Sequence, residues 1–505
     1  MIGKKLRCFD FRKCLNEPNV NKEIMRDLRL ENVHFQACVK IKWGHVVMNM
    51  ENETIAAIST PHGKGGIAVI RISGRDALVI GQRVFVPRSG KSLGEIAPRM
   101  SVWGNILFDG EVLDDGMAVV FYAPHSYTGE DTVEISCHGG ILLTQRVLEA
   151  VFAAGAQPAP PGEFSKRAFC NGKLALSRAE AVITLIDAEN DAQLRVAGGA
   201  ARGKLTHELE ELSSRLRLAI SSMYAYIDYP DEDLEDLSVA QLSELLEQVQ
   251  SSLKQLLQSY RGGRAILQGV RCAIVGKPNT GKSSLLNCLA QESCAIVTDI
   301  AGTTRDVVRE TVSVGQVTLR LADTAGIRKT SDTVEQMGVV RAMEELEQAE
   351  LVLAVFDGSR EADDEDAEVL SLLARADCPV ICVVNKCDLP QRLNIDFPQN
   401  FHVMSISAKQ QIGIESLTAC VEKLFLDGSI DYGKAAVVAN ARQYGALTKA
   451  SDHITRAQKA LANGYSQDVA GMDLEEALSA LGEVDGSTVS AQIVDEIFHH
   501  FCVGK

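Results

Sequence analysis

The 505-residue sequence predicts a multidomain α+β and α/β chain, in which a strand-rich domain precedes an all-α domain and an α/β domain. Short β-like runs separated by Gly, Pro and Asp extend from Ile55 to about Cys170. From Leu176 onward apolar residues recur every three or four positions, and between residues 266 and 428 strand and helix patterns alternate. Helical periodicity returns from Ala436 to the end. The simplest arrangement therefore inserts the α/β domain into a discontinuous helical domain.

The composition is that of an ordinary soluble protein, with 46% hydrophobic and 23% charged residues. A formal net charge of -16 argues against a protein whose main task is to wrap nucleic acid, because that task needs clustered Lys and Arg. The 13 cysteines lack the close pairs of a zinc site, which favours a reducing, cytoplasmic setting. No apolar run has the length of a membrane span, so we expect no membrane partner.

Residues 1–49 are predicted to be an extension of the folded chain. This stretch contains no Ser, lacks an apolar core and carries five acidic residues, so neither a transit peptide nor a secretory signal is convincing. They are Asp10, Glu17, Glu23, Asp27 and Glu31. We expect it to be disordered or to reflect a mis-assigned start, for which Met48 and Met50 are the natural alternatives.

The strand-rich domain is expected over residues 50–170. Its apolar runs are IAAIST, GIAVIRISG, SVWGNILFDG, GMAVVFYA and DTVEISCHGG, each bounded by turn residues. The Gly-rich turns PHGKGG and SCHGG could serve a ligand or merely turn the chain.

The helical domain is expected in two parts, residues 171–265 and residues 429–505. Its first part contains two amphipathic helices that must pack on other helices. Their apolar faces are Leu205, Leu209, Leu212, Leu216, Ile220, Met223 and Ile227, and then Leu242, Leu245, Val249, Leu253, Leu256 and Tyr260. The glycine pair in the segment Arg261 to Arg264 marks the expected boundary with the α/β domain at residues 266–428.

The most specific local signal is GKPNTGKSS, from Gly276 to Ser284, which follows an apolar run and fits the pattern G-x-x-x-x-G-K-[ST]. Its glycines let backbone N-H groups approach phosphate oxygens, Lys282 reaches the β and γ phosphates, and Ser283 offers its hydroxyl to Mg²⁺. The nucleotide contacts expected from this loop are Asn279, Thr280, Gly281, Lys282, Ser283 and Ser284. The pattern alone does not distinguish ATP from GTP.

The base is predicted from Asn385, Lys386 and Asp388, which follow an apolar strand. A carboxylate at Asp388 accepts both the ring N-H and the exocyclic amino group of guanine, a pattern that adenine cannot supply, and a buried Asp388 would be left unpaired by ATP. The segment Ser407, Ala408 and Lys409 should close over the base with backbone donors.

A third and a fourth motif lie between these two. Asp323 ends an apolar strand and should hold Mg²⁺ through its water shell. The N-H of Gly326 should contact the γ phosphate when that phosphate is present, and Thr324 and Ala325 complete the turn. Upstream, TDIAGTTRD offers Thr303 and Thr304, one of which should complete the Mg²⁺ shell. Four motifs in this order predict a GTP hydrolase.

These motifs, together with TDIAGTTRD, PGEFSKRAF, SYTGED followed by HGG, and the terminal FCVGK, resemble the MnmE (TrmE) family of tRNA-modification GTPases. The resemblance runs from about Glu53 to Lys505. It implies that the strand-rich domain pairs two chains in a homodimer and binds 5-formyl- or methylene-tetrahydrofolate.

The resemblance also implies that the α/β domains dimerise across their nucleotides and bind K⁺, which supplies charge where other GTPases use an arginine finger. A cation there would neutralise charge that grows in a loose phosphoryl-transfer transition state. Thr304 would join Ser283 on Mg²⁺. The implied K⁺ ligands are Asn279, Thr298, Ile300 and Thr303. From the residues alone, Asn279 after Pro278 equally fits an Asx turn.

The residue that orients the attacking water is not evident from the phosphate motifs. Small GTPases place a Gln after the Asp-x-x-Gly turn, whereas Ile327 follows Gly326 here. By resemblance this role falls to Glu335, which would otherwise be read as an exposed residue at a helix start. The catalytic residues are then Glu335 and Lys282.

The folate-binding residues implied by the resemblance are Arg71, Glu134, Lys173 and Lys505. Cationic side chains suit a glutamate tail, and a carboxylate suits the amino-pyrimidine ring. Without the family, Arg71 and Glu134 would be read as solvated or paired strand charges. Cys502 belongs to the same tail and could be a nucleophile or a structural thiol.

The partners implied by the resemblance are tRNA and a separate FAD-containing protein, MnmG, with which the chain would add a carboxymethylaminomethyl or aminomethyl group at carbon five of the wobble uridine. The alternative is a regulatory GTPase of ribosome assembly. Such a switch would carry a basic RNA-binding module, and none is recognisable in the sequence.

Overall fold

The computed structural model describes residues 53–228, 239–292, 311–321 and 346–505. Within these ranges no helix is both long enough and apolar enough to cross a membrane. Described residues form a mixed sheet with its helices, a set of packed helices, and a mostly parallel sheet with its helices. This is the α+β and α/β combination that the sequence predicts.

The N-terminal sheet has seven strands in the order β3-β4-β5-β6-β2-β1-β7. Alternation explains its two faces: in β2 Ala68, Ile70 and Ile72 are buried while the residues between them are more exposed. The buried face shares one core with the first two helices. The strands are β1 Ile55–Ile58, β2 Ile67–Ser73, β3 Phe85–Pro87, β4 Ser101–Phe108, β5 Glu111–Phe121, β6 Thr132–His138 and β7 Gln157–Pro158, and the helices are α1 Ala77–Val84, α2 Ile141–Ala153 and α3 Glu163–Cys170.

The helical domain gathers helices from both sides of the α/β segment into one core. The leucines predicted for one helical face, from Leu205 to Leu216, are buried there beside residues 438 to 484. This arrangement places the α/β segment between two parts of one helical domain. The helices are α4 Leu176–Ile186, α5 Asp191–Ala201, α6 Lys204–Asp228 and α7 Val239–Leu267, with α11 Ala441–Ala462, α12 Gln467–Asp485 and α13 Ala491–His499 after the α/β segment.

The glycine pair that the sequence suggests as a boundary lies inside helix α7, which continues to Leu267. Its role is close packing. A Cβ at Gly262 would lie 2.0 Å from the hydroxyl oxygen of Tyr432, and one at Gly263 would lie 2.3 Å from a methyl carbon of Val437. The pair therefore lets the chain that leaves the α/β segment pack directly on α7.

The α/β segment contains a sheet whose described strands run in the order β13-β12-β11-β8-β10-β9. All neighbours are parallel except the hairpin β9-β10, so the carboxyl ends of β8, β11 and β12 meet at one edge. The elements are β8 Val270–Val275, α8 Lys282–Glu292, β9 Thr311–Val314, β10 Val317–Leu321, β11 Leu351–Asp357, α9 Asp364–Leu373, β12 Val380–Asn385, β13 His402–Ser405 and α10 Ile414–Phe425.

Candidate functional site

The phosphate loop lies at this sheet edge, between β8 and the first residue of α8. Its backbone needs glycine at both ends. Gly276 has φ +153 and a Cβ there would lie 2.4 Å from the carbonyl oxygen of Val355, while Gly281 has φ +99 and a Cβ there would lie 2.1 Å from Nδ2 of Asn385. Asn279 also has a positive φ, of 63. The loop is thus held in a conformation that only its glycine pattern permits.

Lys282 lies over this loop. Its Nζ donates hydrogen bonds to the carbonyl oxygens of Gly276 and Lys277, both at 2.6 Å, and burial lowers the pKa of its ammonium. Phosphate oxygens are stronger acceptors for an ammonium than these carbonyls. Ser283 and Ser284 are exposed at the start of α8, where hydroxyls and free N-H groups favour an anion and its Mg²⁺.

Asn385 joins the phosphate loop to the predicted base-binding segments. Its side chain is 3% exposed; Nδ2 donates to the carbonyl oxygen of Thr280 at 2.9 Å, and Oδ1 accepts from the N-H of Ala408 at 3.0 Å. Three predicted nucleotide motifs therefore meet at one buried amide. Lys386 adds a second link, because its Nζ donates to the carbonyl oxygen of Asn279 at 3.1 Å.

Asp388 is exposed, and its role in recognising guanine stays a prediction. Its carboxylate accepts a long hydrogen bond, 3.5 Å, from Nε2 of Gln410. Ser407 and Ala408 are buried, and Lys409 is exposed.

Two groups at the site escaped sequence reasoning. Lys277, 9% exposed, forms an ion pair with Asp363 and contacts Asp366 at 3.3 Å, which ties the phosphate loop to the start of α9. Asp357, at the end of β11, accepts from Nζ of Lys386 at 2.5 Å. The cluster of acidic residues before α9 was visible in the sequence, but no spacing rule pairs it with a lysine that lies 86 positions earlier.

The remaining predicted residues of this site lie outside the described part of the chain. They are Thr298, Ile300, Thr303, Thr304, Asp323, Thr324, Ala325, Gly326 and Glu335. Their roles stay predictions. The segments that contain them adjoin described strands, because β9 begins directly after residues 293–310 and β10 ends directly before residues 322–345.

A second group of predicted residues meets in the N-terminal domain. Arg71 on β2 and Glu134 on β6 are direct cross-strand partners, and Nε of Arg71 donates to Oε1 of Glu134 at 2.8 Å. The guanidinium also lies 5.4 Å from the ring centroid of Tyr127 and 5.5 Å from that of Phe164. An arginine held by one carboxylate and two aromatic rings presents an oriented cationic group. The two aromatic residues were missed, because nothing in the sequence placed them near Arg71.

The C-terminal tail reaches this group. Nη1 of Arg71 donates to the carbonyl oxygen of Gly504 at 3.4 Å, and the hydroxyl of Ser59 donates to the same oxygen at 3.1 Å. A Cβ at Gly504 would lie 2.2 Å from the carbonyl oxygen of Ile58, so the tail can lie this close only as glycine. Lys505 is therefore brought to the neighbourhood by its backbone, and Cys502 is exposed.

Lys173 is exposed, and its side-chain stem lies against Gly129, where an added Cβ would be 3.3 Å from Cγ. No described contact joins it to Arg71 or Glu134, so its place in the folate site stays a prediction.

The sequence motifs SYTGED and PGEFSKRAF contact each other beside Arg71. The hydroxyls of Tyr127 and Ser165 are 2.8 Å apart, and Arg167, 5% exposed, contacts Glu130 at 3.1 Å and Glu163 at 3.0 Å. These motifs thus hold the turn before β6 against α3, which positions the ring of Tyr127 under the arginine.

Comparisons with known proteins agree with this arrangement. Residues 176–502 match the family model described as the MnmE helical domain, and residues 54–173 match the GTP-binding protein TrmE N-terminus. The chain is 40% identical to the tRNA modification GTPase MnmE of Clostridioides difficile (strain 630) over 458 residues, which cover 90% of this chain and 99% of the relative. It is 42% identical to the MnmE of Geobacter sulfurreducens over 459 residues, which cover 90% of this chain and 99% of that relative.

A mostly parallel sheet with a phosphate loop at its carboxyl edge, linked through the buried Asn385 to the segment at Ala408, defines the class as a P-loop GTPase with added N-terminal and helical domains. The chain belongs to the MnmE (TrmE) family of tRNA-modification GTPases. It is a GTP hydrolase that takes part in tRNA modification.

Proposed function

We propose that this chain is a cytoplasmic, homodimeric, K⁺-activated GTPase that modifies the wobble uridine of certain tRNAs. With an FAD-containing partner that resembles MnmG, it would add a carboxymethylaminomethyl or aminomethyl group at carbon five, and a one-carbon tetrahydrofolate would supply the carbon. The observation that carries this proposal is the arrangement of Arg71, Glu134 and the tail carbonyl of Gly504 in a chain that also contains the GTP site.

The GTP site supports hydrolysis through charge neutralisation and positioning. Lys282, already desolvated over the phosphate loop, would exchange its two carbonyl acceptors for phosphate oxygens and stabilise charge on the transferred group. Ser283 and Thr304 would hold Mg²⁺. Glu335 would accept a hydrogen bond from the attacking water and fix its direction.

The K⁺ proposal depends on one described ligand. Asn279 is an exposed residue of the phosphate loop with a positive φ of 63. Thr298, Ile300 and Thr303 would supply the other oxygens. A monovalent cation held there would add positive charge beside the phosphates.

The folate proposal depends on the charged side chains around the C-terminal segment of the protein. Glu134 would accept from the amino-pyrimidine ring, and Arg71, Lys173 and Lys505 would bind the negatively charged glutamate tail. The C-terminal segment of the protein, which includes Gly504, contributes to this site. The folate site would therefore be completed only when the helical domain is folded.

The experiment is a reconstituted modification reaction. Purified chain, the FAD-containing partner, GTP, Mg²⁺, K⁺, a reduced folate, unmodified tRNA and a nitrogen source, either glycine or ammonium, are incubated, and tRNA nucleosides are quantified by mass spectrometry. We expect a modified wobble uridine that needs every component. A chain that binds no reduced folate and leaves the tRNA unchanged, but binds ribosomal subunits when loaded with GTP, would contradict the proposal and favour the ribosome-assembly switch.

A further inference from the structure

Hydrogen bonds of three polar side chains join the β9-β10 hairpin to the helical domain. These side chains, which we call the hairpin junction, are Asn190, Gln193 and Thr318. Nδ2 of Asn190 donates to Oγ1 of Thr318 at 3.1 Å, and Nε2 of Gln193 donates to the same oxygen at 3.2 Å. The Thr318 hydroxyl in turn donates to the carbonyl oxygen of Ile266 at 3.0 Å. One hydroxyl thus connects β10 with the start of α5 and the last turn of α7.

Two residues of the junction are buried, and Asn190 is half-buried. Thr318 is 2% exposed and Gln193 is 5% exposed. The hydroxyl donates once and accepts twice, which uses its full hydrogen-bonding capacity. Asn190 is also the N-cap of α5, since its Oδ1 accepts from the N-H of Gln193 at 2.9 Å. Displacing one member would therefore leave buried polar groups of the others unpaired.

The hairpin adjoins both segments in which the sequence places the γ-phosphate and metal contacts. Thr318 precedes the predicted metal-binding Asp323 by five positions, so at most about 18 Å of extended chain separates them. Nδ2 of Asn190 also donates to Oγ of Ser313 on β9, at 2.9 Å. Any shift of β9 or β10 that accompanies the nucleotide state would therefore act directly on the junction.

A cavity lies beside the hairpin junction. A cavity of about 390 Å³ lies between the α/β segment and the helical domain, and Gln193, Thr318 and Leu267 line it together with Glu180 and Gln443. Close-packed interiors move as rigid bodies, so a cavity beside a polar contact is where a small rotation between two bodies can take place.

We propose that the hairpin junction transmits the nucleotide state of the α/β segment to α5 and α7, so that GTP binding and the conformation of the helical domain are energetically coupled. This inference rests on the proposed GTPase cycle. Coupling is reciprocal: a change in the junction must alter the relative affinities for GTP and GDP, as well as the response of the helices.

The test uses the full-length chain and amide hydrogen exchange of α5 and the last two turns of α7, measured with GDP and with a non-hydrolysable GTP analogue. Asn190→Asp keeps the capping oxygen and removes both donors to the hairpin. Thr318→Val removes the central hydroxyl with little change of shape. Thr144→Val, which removes a hydroxyl that is 6% exposed in the N-terminal domain, is the matched control.

In the wild-type chain we expect the exchange of these helices to differ between the two nucleotides. In both junction variants that difference should fall by at least about threefold, while GDP affinity stays within about threefold of wild type. The double variant should show little further loss, because both changes remove the same contact. The Thr144→Val control should respond like wild type.

The proposed role of the junction would be refuted if the exchange difference between the two nucleotides were undiminished in both variants. It would also be refuted if α5 of a wild-type chain that binds both nucleotides showed no such exchange difference. A wild-type chain that binds neither nucleotide would instead refute the GTPase site on which the inference rests. Ser313→Ala, which removes one acceptor of Asn190, provides a milder variant if Thr318→Val fails to fold.

Discussion

Replacement of Asn385 by Asp tests whether the buried amide holds the nucleotide motifs together. The substitution changes one NH₂ group to oxygen. Oδ1 can still accept from the N-H of Ala408, but the donor to the carbonyl oxygen of Thr280, now at 2.9 Å, becomes a second acceptor. Two oxygens with no proton between them repel each other, and the carboxylate is buried at a position that is 3% exposed.

The expected cost follows from these contacts. Loss of a buried hydrogen bond that leaves its acceptor unpaired costs about 2–3 kcal/mol. If the phosphate loop adopts its binding conformation only with this bond, the GDP dissociation constant should rise roughly 30- to 150-fold. Burial and the adjacent carbonyl should raise the pKa of the new carboxyl group, because both disfavour its charged form.

The sign of the pH effect distinguishes this account from general damage. The protonated carboxyl group can donate to the carbonyl oxygen of Thr280, so the defect of Asn385→Asp should shrink as pH falls and grow as pH rises. GDP dissociation is followed by fluorescence of a labelled nucleotide between about pH 6 and pH 8. Asn400→Asp, at an exposed position of the same domain, is the control. Affinity within about threefold of wild type at both pH values would refute the reasoning.

Three further outcomes follow from the described contacts. Arg71→Ala should weaken reduced-folate binding by roughly 10- to 100-fold in calorimetry, because it removes a charge-assisted contact, whereas Arg75→Ala at an exposed position should not; equal affinities would contradict the folate site. Gly262→Ala should lower the free energy of unfolding by about 1–3 kcal/mol in urea titrations, since its Cβ would lie 2.0 Å from a tyrosine hydroxyl, although helix propensity alone predicts a gain. Gly445→Ala, in open space on α11, should be neutral or stabilising, and similar losses in both variants would remove the packing argument. Lys282 has its pKa lowered by burial, and phosphates should raise it; GTP binding should therefore take up protons, and affinity should fall as pH rises through the alkaline range. Calorimetry at about pH 9 in buffers of different ionisation enthalpy would detect this uptake, and none should be seen if Lys282 does not meet the phosphates.

The sequence was sufficient where a short pattern determines a local structure. The strand within GIAVIRISG and the leucine face of α6 depend on neighbouring residues, and the structure confirms both; Gly276 and Gly281 of the phosphate loop both adopt positive φ. The inserted arrangement also followed, because helical periodicity on both sides of the α/β segment left few alternatives.

The sequence was insufficient where the outcome depends on residues far apart in the chain. Gly262 and Gly263 resemble a linker, and only the contacts of Tyr432 and Val437, about 170 positions later, show why a helix contains them. The inward amide of Asn385, the ion pairs of Lys277 and the aromatic rings beside Arg71 have the same character. Each is a tertiary contact that no local spacing encodes.

The most direct test of the account is GTP hydrolysis by the purified chain in K⁺ and in Na⁺ at equal ionic strength, measured over a range of protein concentrations. A shared cation site that is completed when two α/β domains meet predicts turnover per chain that is at least about tenfold faster in K⁺ and that rises with protein concentration. Equal rates in the two salts, independent of concentration, would contradict the proposal.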